Sequence, residues 1–580
     1  MSTLLRKAGF IACISLAIWC IGLTQGAVYA APKIDVAYYT SLRQENQGQQ
    51  AEQLSFIPTT DKAVSFAFGG FTRADSLDYI LELMDENDLK GTFFVTEREL
   101  RLNSDNIRKI VSHGHELGIG LRPGDTDGFV EFAAQIDRIR KKLKSQYGID
   151  TNLVRQMYGP ESKEIKEAVS ATGCQLIGQT INVIQSKYKD MTSANQVMPL
   201  LFKRWFTSLG RGQIAYIRTD YTTSGTLAGD LMVAIKKQKI DNIAYRTIDD
   251  NPENNPDNDS AYRVDTVGNV LANTSYLWKC PVDQDTIPTE LRPGYVPVKV
   301  DNSNFNKEFY KRYIGSPAVS EDDRMLGFNR NQMIKADKSG IIKSVTDNTI
   351  FLTFDDWGND NSINKLLYVL KKHHVTGTFF IITRSVPNSP NLLRAIALDG
   401  NEIGSHTNLH KAMATRDPKT NKQHATESDA DFCTDVETAY ERLASYVGDV
   451  EVNGHYSLTR LFRPPTLAIS KNGAMAIMNA GYTYMVSGFD STEDYEAINL
   501  QQLLGKMQAG IYNEKGGIRK GSILVMHMSD TAKLTPQALD ILLTANENRA
   551  DSDSKKFKVG RLSDYLTGNY SQAMKIKKNT

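Results

Sequence analysis

Several side chains in the second half of this 580-residue sequence could act together in hydrolysis. Asp355 and Asp356 follow an apolar run, and His406 and His410 stand four residues apart. Two imidazoles at this spacing lie on one face of a helical turn, and with one carboxylate they can form a facial triad open to water and substrate. A metal held in this way lowers the pKa of bound water and polarises a carbonyl. Hydrolysis of an amide or an ester is therefore the expected chemistry.

Two further features could transfer or direct protons. Arg463 opens a stiff Arg-Pro-Pro turn, and His527 ends an apolar strand. A second carboxylate could take the proton of the water, and an isolated histidine could protonate the leaving amine. Each feature also has an ordinary interpretation. The acidic pair could cap a helix, the two histidines could be a surface pair, Arg-Pro-Pro could be only a rigid turn, and His527 could be a hydrogen-bonded side chain at a strand end. Singly, none of them predicts an enzyme.

Strand-like and helix-like segments alternate around these residues. Residues 350–354 and 377–383 are predicted to be buried strands, and residues 362–372 and 391–398 amphipathic helices. This alternation favours parallel strands covered by helices, in a sheet that is either closed into a barrel or doubly wound. Active sites in such folds gather at the carboxyl ends of the strands, which is where the acidic pair stands.

The first half of the chain repeats this pattern. Three pairs of segments share one offset of 286 residues (350 − 64): VSFAFGG at 64–70 with IFLTFDD at 350–356, LKGTFFV at 89–95 with VTGTFFI at 375–381, and GHELG at 114–118 with GNEIG at 400–404. Further on the offset drifts, and residues 171–173 pair with 479–481 and 211–214 with 520–523. A repeat of about 200 residues is a domain and not a solenoid module.

The first copy lacks the reactive side chains. The residues opposite the acidic pair and the two histidines are all glycines: Gly69, Gly70, Gly120 and Gly124. Tyr158 is aligned with Arg463, and Arg218 with His527. Because glycine has no side chain to coordinate a metal, the first copy is predicted to fold similarly without binding metal or catalysing. It could be a structural partner that buries an apolar face, or a saccharide-binding module with a rim opened by the glycines.

The order of the motifs resembles that of a known family. The segments concerned are TFDD at 353–356, HTNLH at 406–410, FRPP at 462–465, DY at 494–495 and LVMH at 524–527. They resemble the five ordered motifs of polysaccharide deacetylases, the NodB-homology group of carbohydrate esterase family 4. The resemblance covers roughly residues 348–566, with residues 62–250 as a degenerate copy. It implies an α/β fold of two tandem distorted (β/α) barrels, the first degenerate, joined by an irregular, β-rich segment.

The resemblance also implies a metal site and a set of roles. One divalent metal ion, usually Zn²⁺, is implied, and Co²⁺, Ni²⁺ or Mn²⁺ would also suit the ligands. The implied ligands and proton-transfer groups are Asp356, His406 and His410 for the metal, Asp355 as general base oriented by Arg463, and His527 as general acid supported by Asp494. The metal and a backbone N–H near residues 465–466 would stabilise the oxyanion.

The implied reaction is removal of N-acetyl groups from a polysaccharide that contains N-acetylhexosamine. An O-acetyl esterase and a glycan-binding pseudoenzyme are the alternatives. The chain departs from the family at Trp357, usually glycine, at Thr466, often aromatic, and at Tyr495, usually tryptophan. The acidic motif carries one extra residue, so Asp490 competes with Asp494 for the supporting role. These departures bear on substrate choice more than on chemistry.

The chain's ends and composition complete the expectations. With 68 basic and 67 acidic residues the net charge is +1, which argues against a nucleic-acid partner. Residues 1–30 combine a basic start, an apolar run and small residues at 28 and 30, as a cleaved secretory signal does, with an uncleaved anchor as the alternative. The protein is therefore expected in the periplasm, the cell envelope or the medium, with no later membrane span. The three isolated cysteines after residue 31 indicate neither a disulfide framework nor a thiolate zinc site.

The predicted organisation has four further parts. They are an N-terminal segment at 31–61, a linker or insert at 251–345, the catalytic domain at 346–570 and a basic tail at 571–580. The acetylated polysaccharide is the one partner predicted, and the sequence does not indicate an oligomeric state.

Overall fold

The computed structural model describes residues 34–124, 127–160, 162–203, 206–247, 260–318 and 325–567. The predicted signal peptide and basic tail lie outside these residues. The strands up to residue 264 are β1 Gln53–Leu54, β2 Ala63–Gly69, β3 Thr92–Val95, β4 Glu116–Leu121, β5 Leu153–Gln156, β6 Gln175–Ile177, β7 Ile181–Asn182, β8 Ile214–Arg218 and β9 Arg263–Val264.

The later strands are β10 Tyr313–Ile314, β11 Met325–Leu326, β12 Thr349–Asp356, β13 Thr378–Ile381, β14 Glu402–Ser405, β15 Thr415–Arg416, β16 Gln423–His424, β17 Glu451–Val452, β18 His455–Tyr456, β19 Leu458–Phe462, β20 Ile469–Ser470, β21 Tyr484–Val486, β22 Asp490–Ser491, β23 Ile523–His527 and β24 Lys558–Val559.

These strands form two large parallel sheets with the same order. The first sheet runs β1-β6-β5-β4-β3-β2-β8-β7 with β9 on β2, and the second runs β10-β21-β19-β14-β13-β12-β23-β22 with β24 on β12. The two orders correspond strand for strand. Together with the covering helices, they confirm the predicted α/β fold of two tandem distorted (β/α) barrels. The remaining short strands form the separate pairs β11–β20, β15–β16 and β17–β18.

Helices cover the outer faces of both sheets. Around the first sheet they are α1 Val36–Glu45, α2 Ala74–Glu86, α3 Glu97–Leu102, α4 Ser104–Ser112, α5 Phe129–Tyr147, α6 Lys163–Ala171, α7 Ala194–Leu201, α8 Leu227–Ile235 and α9 Val267–Ala272. Later in the chain they are α10 Phe305–Arg312, α11 Arg330–Lys335, α12 Asp360–Lys372, α13 Pro390–Leu398, α14 Asp429–Val447, α15 Lys471–Asn479, α16 Leu500–Ile511, α17 Thr535–Glu547 and α18 Leu562–Tyr565.

The burial pattern explains why these segments form barrels. Every residue of β2 is buried, as is every residue of β12 except Asp356, because helices cover one side of the sheet and the barrel core the other. Helix α12 buries Ile363, Leu366, Leu367 and Leu370 at the spacing of one helical face. Each sheet thus has its own apolar core.

The same polar contact occurs near the amino ends of the strands in both barrels. Thr92 donates a hydrogen bond to Glu116 (2.6 Å), and Thr378 donates one to Glu402 (2.7 Å). Each glutamate then accepts from backbone N–H groups at the start of a short helix, α9 in the first barrel and α18 in the second. The carboxylates stabilise those helix starts by satisfying N–H groups that have no partner within the helix.

The first barrel draws on residues outside the range 62–250. Strand β1 precedes that range, while β9 and α9 follow it and correspond to β24 and α18 of the second barrel. Strand β10, also from the interval 251–345, joins the second sheet beside β21. This interval therefore supplies elements to both barrels.

Buried polar contacts join the two barrels. Arg211 of the first barrel donates to Asp360 (3.4 Å) and Asn364 (3.1 Å) of α12, and both ionic side chains are almost fully buried. Asn391 of α13 donates to the carbonyls of Ile57 and Arg211, both at 2.8 Å. Removing one member of such a pair would leave a buried charge or polar group without a partner, which is strongly unfavourable. These contacts hold the barrels in one arrangement.

Two smaller expectations concern the membrane and the cysteines. In the part of the chain that the structure describes, no helix has both the length and the apolar character needed to cross a bilayer. Cys174, Cys280 and Cys433 are unpaired.

Candidate active site

The acidic pair ends the central strand of the second sheet. The register of β12 places Asp355 beside His527 on β23 and Asp356 beside Ile381 on β13. Asp355 is buried, whereas Asp356 is half-buried and has a φ of 81°. A positive φ is unfavourable for a residue with a β-carbon, and such strain concentrates at functional sites. The pair belongs to the strand itself and does not cap a helix.

The two histidines lie on a loop after β14 and not on a helical turn. The helical geometry expected for residues 406–410 is therefore wrong, because Thr407 and His410 have φ values of 67° and 58°. The loop is held by the hydroxyl of Thr407, which accepts from the N–H of His410 at 2.9 Å. Asn408 adds contacts to the neighbouring residues Thr383 and Arg442. The loop still brings both imidazoles together, with ring centroids 4.8 Å apart.

Asp356, His406 and His410 converge on one point. Each offers one ligand atom, and these atoms lie within 4.8 Å of one another. Asp356 Oδ1 is 3.9 Å from His406 Nε2 and 3.6 Å from His410 Nε2. The described residues contain no second group of three histidine, cysteine, aspartate or glutamate side chains with such spacing. Two imidazoles and a carboxylate suit zinc and its neighbours in the transition series.

The environment of His406 favours a neutral ring with one nitrogen available. Burial lowers its pKa to about 3, so the ring is uncharged near neutral pH. Its Nδ1 is 2.8 Å from the carbonyl oxygen of Arg463, which can only accept a hydrogen bond. Nδ1 therefore carries the proton and donates, and the Nε2 atom near Asp356 is the one with a free lone pair.

Arg463 lies directly behind the acidic pair. Its side chain is fully buried, and its Nη1 donates to Asp355 Oδ1 at 2.6 Å and to Thr353 at 2.8 Å. Its Nε and Nη2 donate to the carbonyls of Val486 and Ser487. The guanidinium is thus fixed on four sides, and it holds one oxygen of Asp355 while the other lies 3.9 Å from His406 Nε2.

His527 and Asp494 form a pair on the other side of the acidic residues. His527 Nδ1 donates to Asp494 Oδ1 at 2.7 Å, and the buried Asp494 also accepts from the His527 N–H and from Thr535. Burial disfavours the charged ring, but the hydrogen bond and charge of Asp494, with the charges of Asp355 and Asp356, raise the pKa of His527 to about 9. His527 therefore carries a proton at neutral pH. The side chain of Asp490, the competing residue, lies outside the described part of the structure.

The structure brings all seven predicted site residues to one edge of the second sheet, beside a cavity of about 920 Å³. Asp356 and His410 line this cavity, and so does Trp357, the bulky residue after the acidic pair. The first barrel contributes to the lining as well, through residues 55–56, 179–181, 201 and 206. Asp356 and His410 thus open into a cleft between the two barrels.

The first barrel keeps one residue of the site that the sequence alignment missed. In the first sheet Gly120 pairs with Arg155, and in the second sheet the equivalent His406 lies beside Arg463. Arg155, and not Tyr158, therefore corresponds to Arg463. Arg155 donates to the carbonyls of Ile177 and Gly178 as Arg463 does to those of Val486 and Ser487. The drifted offset already indicates this pairing, because 479 − 171 and 463 − 155 both give 308. The alignment of Arg218 with His527 agrees with the register.

The glycines of the first barrel do not open a cavity. A β-carbon at Gly69 would meet the side chains of Met157 and Tyr216, and one at Gly70 would meet the carboxylate of Asp220. Arg155 lies over the ring of Tyr216, with its guanidinium carbon 3.8 Å from the centroid. The side chains of Met157, Tyr216 and Asp220 thus occupy the space that corresponds to the acidic pair of the second barrel.

Comparison with known proteins gives one family and several relatives. The sequence model of the family described as "Polysaccharide deacetylase" matches residues 57–177 and 342–485. Peptidoglycan-N-acetylmuramic acid deacetylase PdaA of Bacillus subtilis (strain 168) is 35% identical over 99 residues, which are 17% of this chain and 38% of that protein. Peptidoglycan-N-acetylglucosamine deacetylase PgdA of Listeria monocytogenes serotype 1/2a (strain 10403S) is 30% identical over 204 residues, 35% of this chain and 36% of that protein.

A chitooligosaccharide deacetylase of Rhizobium leguminosarum bv. trifolii is 37% identical over 71 residues, 12% of this chain and 33% of that protein. The matched segments thus span between a third and two fifths of the length of these three relatives. The family match falls in both barrels, as the internal repeat predicts.

Proposed function

Because both barrels belong to the polysaccharide deacetylase family, we propose that the second barrel removes acetyl groups from an N-acetylhexosamine polysaccharide. The observation that carries this proposal is the convergence of three metal-ligating side chains with two proton-transfer pairs at one sheet edge. The names of the relatives, which act on peptidoglycan and chitooligosaccharide, support the same substrate class.

We propose that Asp356, His406 and His410 hold one divalent ion, with Zn²⁺ as the first candidate and Co²⁺, Ni²⁺ and Mn²⁺ as others. The donor set fits such an ion, since His406 presents a neutral nitrogen next to a half-buried carboxylate. When bound, a divalent metal polarises the acetyl carbonyl and acidifies water. Because burial raises the pKa of Asp356, a bound cation would also stabilise its charged form.

The other residues move the protons. Asp355 takes a proton from the attacking water through the oxygen that Arg463 does not hold, and Arg463 keeps the carboxylate in position. His527 carries its proton on the nitrogen remote from Asp494 and gives it to the leaving sugar nitrogen. Asp494 keeps the imidazole oriented and charged until that transfer.

A location outside the cytoplasm is part of the proposal. Residues 1–30 have the composition of a secretory signal, and the proposed substrates are polymers of the cell envelope or the exterior. Fractionation of cells that express the chain with or without residues 1–30 tests this part of the proposal. Equal distribution of the two forms would contradict export.

The central test is acetate release from purified glycans. Peptidoglycan, chitin oligomers and acetylated xylan are each incubated with the full chain, with and without a chelator, and with Asp355→Asn as the matched inactive control. Chelator-sensitive acetate release from an N-acetylated polymer is expected. Release from xylan alone would favour the O-acetyl esterase, and binding without release from any glycan would favour the glycan-binding pseudoenzyme.

A further inference from the structure

The cleft beside the metal-binding side chains has a wall made by the degenerate barrel. Its lining includes Phe56, Gln179, Thr180, Leu201 and Phe206 of the first barrel, opposite Asp356, Trp357 and His410 of the second. We infer that this wall binds sugar units more than one residue away from the one that is deacetylated, so that the first barrel positions the polysaccharide. This inference rests on the proposed function, because it names the same cleft as the substrate site.

The size of the cleft exceeds what the reaction itself needs. Its volume of about 920 Å³ lies near the upper end of the range usual for small-molecule sites, roughly 300–1,000 Å³. Only the acetamide group has to reach the metal-binding side chains. The remaining space, which extends to the first barrel, can therefore hold further parts of a saccharide chain.

The chemistry of the wall suits a sugar. Phe206 is half-buried, stacks on Phe202 at 5.3 Å, and can present ring area to the apolar face of a sugar. Gln179 uses its Oε1 to accept from the buried Arg155, and its Nε2 carries two donors that suit hydroxyl and acetamide oxygens. The retained Arg155 thus holds a side chain of the cleft wall in place of a catalytic carboxylate.

The wall is fixed to the catalytic rim by residues of the cleft itself. Thr207, next to Phe206, donates to Asp530 at 3.0 Å, and Asp530 also accepts from the Asn359 side chain at 2.6 Å. Gln213 donates to residues 388 and 389 on the opposite side of the cleft. Since Asn359, Asp530 and residues 388–389 all line the cavity, the distance between wall and metal site is set by direct hydrogen bonds.

Two variants test the wall in the full chain. Gln179→Glu keeps an acceptor for Arg155 and removes the two N–H donors, and Phe206→Ala removes the ring. Gln175→Glu is the matched control, because it places the same charge on an exposed position of the same sheet that does not line the cavity. Turnover is measured with a long N-acetylglucosamine oligomer and with the disaccharide.

Each wall variant should raise KM for the long oligomer about three- to tenfold, the effect of one lost polar or apolar contact. We expect kcat for the oligomer, both constants for the disaccharide and every constant of the control to change less than twofold. An equal increase in KM for both substrates, or no increase for either, would contradict the inference that the wall binds sugar units.

A binding measurement separates this inference from the proposed function. Calorimetric titration of the long oligomer into Asp355→Asn, alone and combined with each wall variant, needs no turnover. Weaker binding in the combined variants supports the wall even if no glycan releases acetate. Equal affinity in all of them, or no binding in any, overturns it.

Discussion

The two barrels have the same scaffold and differ at the edge where their strands end. Both have the same strand order and the same threonine–glutamate contact at the opposite edge. At the carboxyl edge the second barrel has three side chains that could hold a metal ion, and the first has glycines packed against Met157, Tyr216 and Asp220. The fold therefore does not depend on the reactive side chains.

The arginine of this edge shows which contacts belong to the scaffold. Arg155 and Arg463 donate to equivalent pairs of backbone carbonyls, but only Arg463 also holds a carboxylate. The carbonyl contacts persist in a barrel that has glycine in place of Asp355. Arg463 thus has two separable roles, one in joining neighbouring strands and one in orienting Asp355.

The backbone at Asp356 leads to a similar conclusion. Gly70 and Asp356 are equivalent, and both have a φ of 81°. The scaffold sets this conformation in both barrels, and glycine is the residue that adopts it without strain. The second barrel keeps an aspartate there in spite of the strain, which is expected where a carboxylate is needed for function.

The largest effect should come from removing a metal ligand of the second barrel. His406→Ala is expected to reduce bound metal from about one equivalent per chain to near zero and to abolish turnover, because two ligands do not complete the site. Elemental analysis after dialysis measures the metal. His113→Ala in the first barrel is the matched control and should keep the metal. Two equivalents in the wild type would break the contrast between the barrels.

A smaller but still large effect is expected from the general base. Asp355→Asn should lower kcat about 10²- to 10⁴-fold, the usual contribution of a general base, while metal content stays unchanged. Acetate-release assays measure kcat, and elemental analysis of the same preparation measures the metal content. In the first barrel, Asp220→Asn changes a rim carboxylate that contacts Arg218, and its turnover should equal that of the wild type. Wild-type rates in Asp355→Asn would refute the assigned role.

Much of this contrast could be predicted from the sequence. The constant offset of 286 residues predicted that β2–β4 and β12–β14 would be equivalent, and parallel strands bring their carboxyl ends to one edge. The glycines opposite the reactive residues could be identified for the same reason. Short apolar runs in the sequence mark the strands directly, and the constant offset shows which strands of the two halves are equivalent.

Other features depend on geometry that residue spacing does not contain. The loop at residues 406–410 has backbone angles set by Thr407 and Asn408, so a four-residue spacing was mistaken for a helical turn. Arg155 was missed because the chain between the second and third motifs differs in length between the two copies, and the strand register resolves the pairing. The cleft wall depends on how the two barrels pack, and hydrogen bonds such as Asn391 to Arg211 and Arg211 to Asn364 determine this packing across 180 and 153 positions of the sequence.

The pairing of His527 with Asp494 predicts a pH effect. With its pKa raised to about 9, His527 remains a proton donor below that pH and loses the proton above it, so kcat should fall as the pH rises through about 9. In Asp494→Asn the pKa should move towards the ordinary value of about 6.5, and at pH 8 the donor form would fall roughly thirtyfold. A profile of kcat from pH 6 to pH 10 measures this decrease in the wild type and in the variant. The absence of any shift would mean that His527 does not supply the proton.

The smallest predicted effect concerns stability, and its sign should depend on metal. In the presence of a chelator, Asp356→Gly should stabilise the protein by about 1 kcal/mol, because glycine relieves the positive φ and the half-buried carboxylate is removed. Gly70→Asp is the converse change and should destabilise, since its new side chain would meet Asp220. With saturating metal the wild type should gain stability by ligand binding and Asp356→Gly should not. Urea unfolding in both conditions measures these differences, and destabilisation by Asp356→Gly under chelator would show that the aspartate is not held under strain.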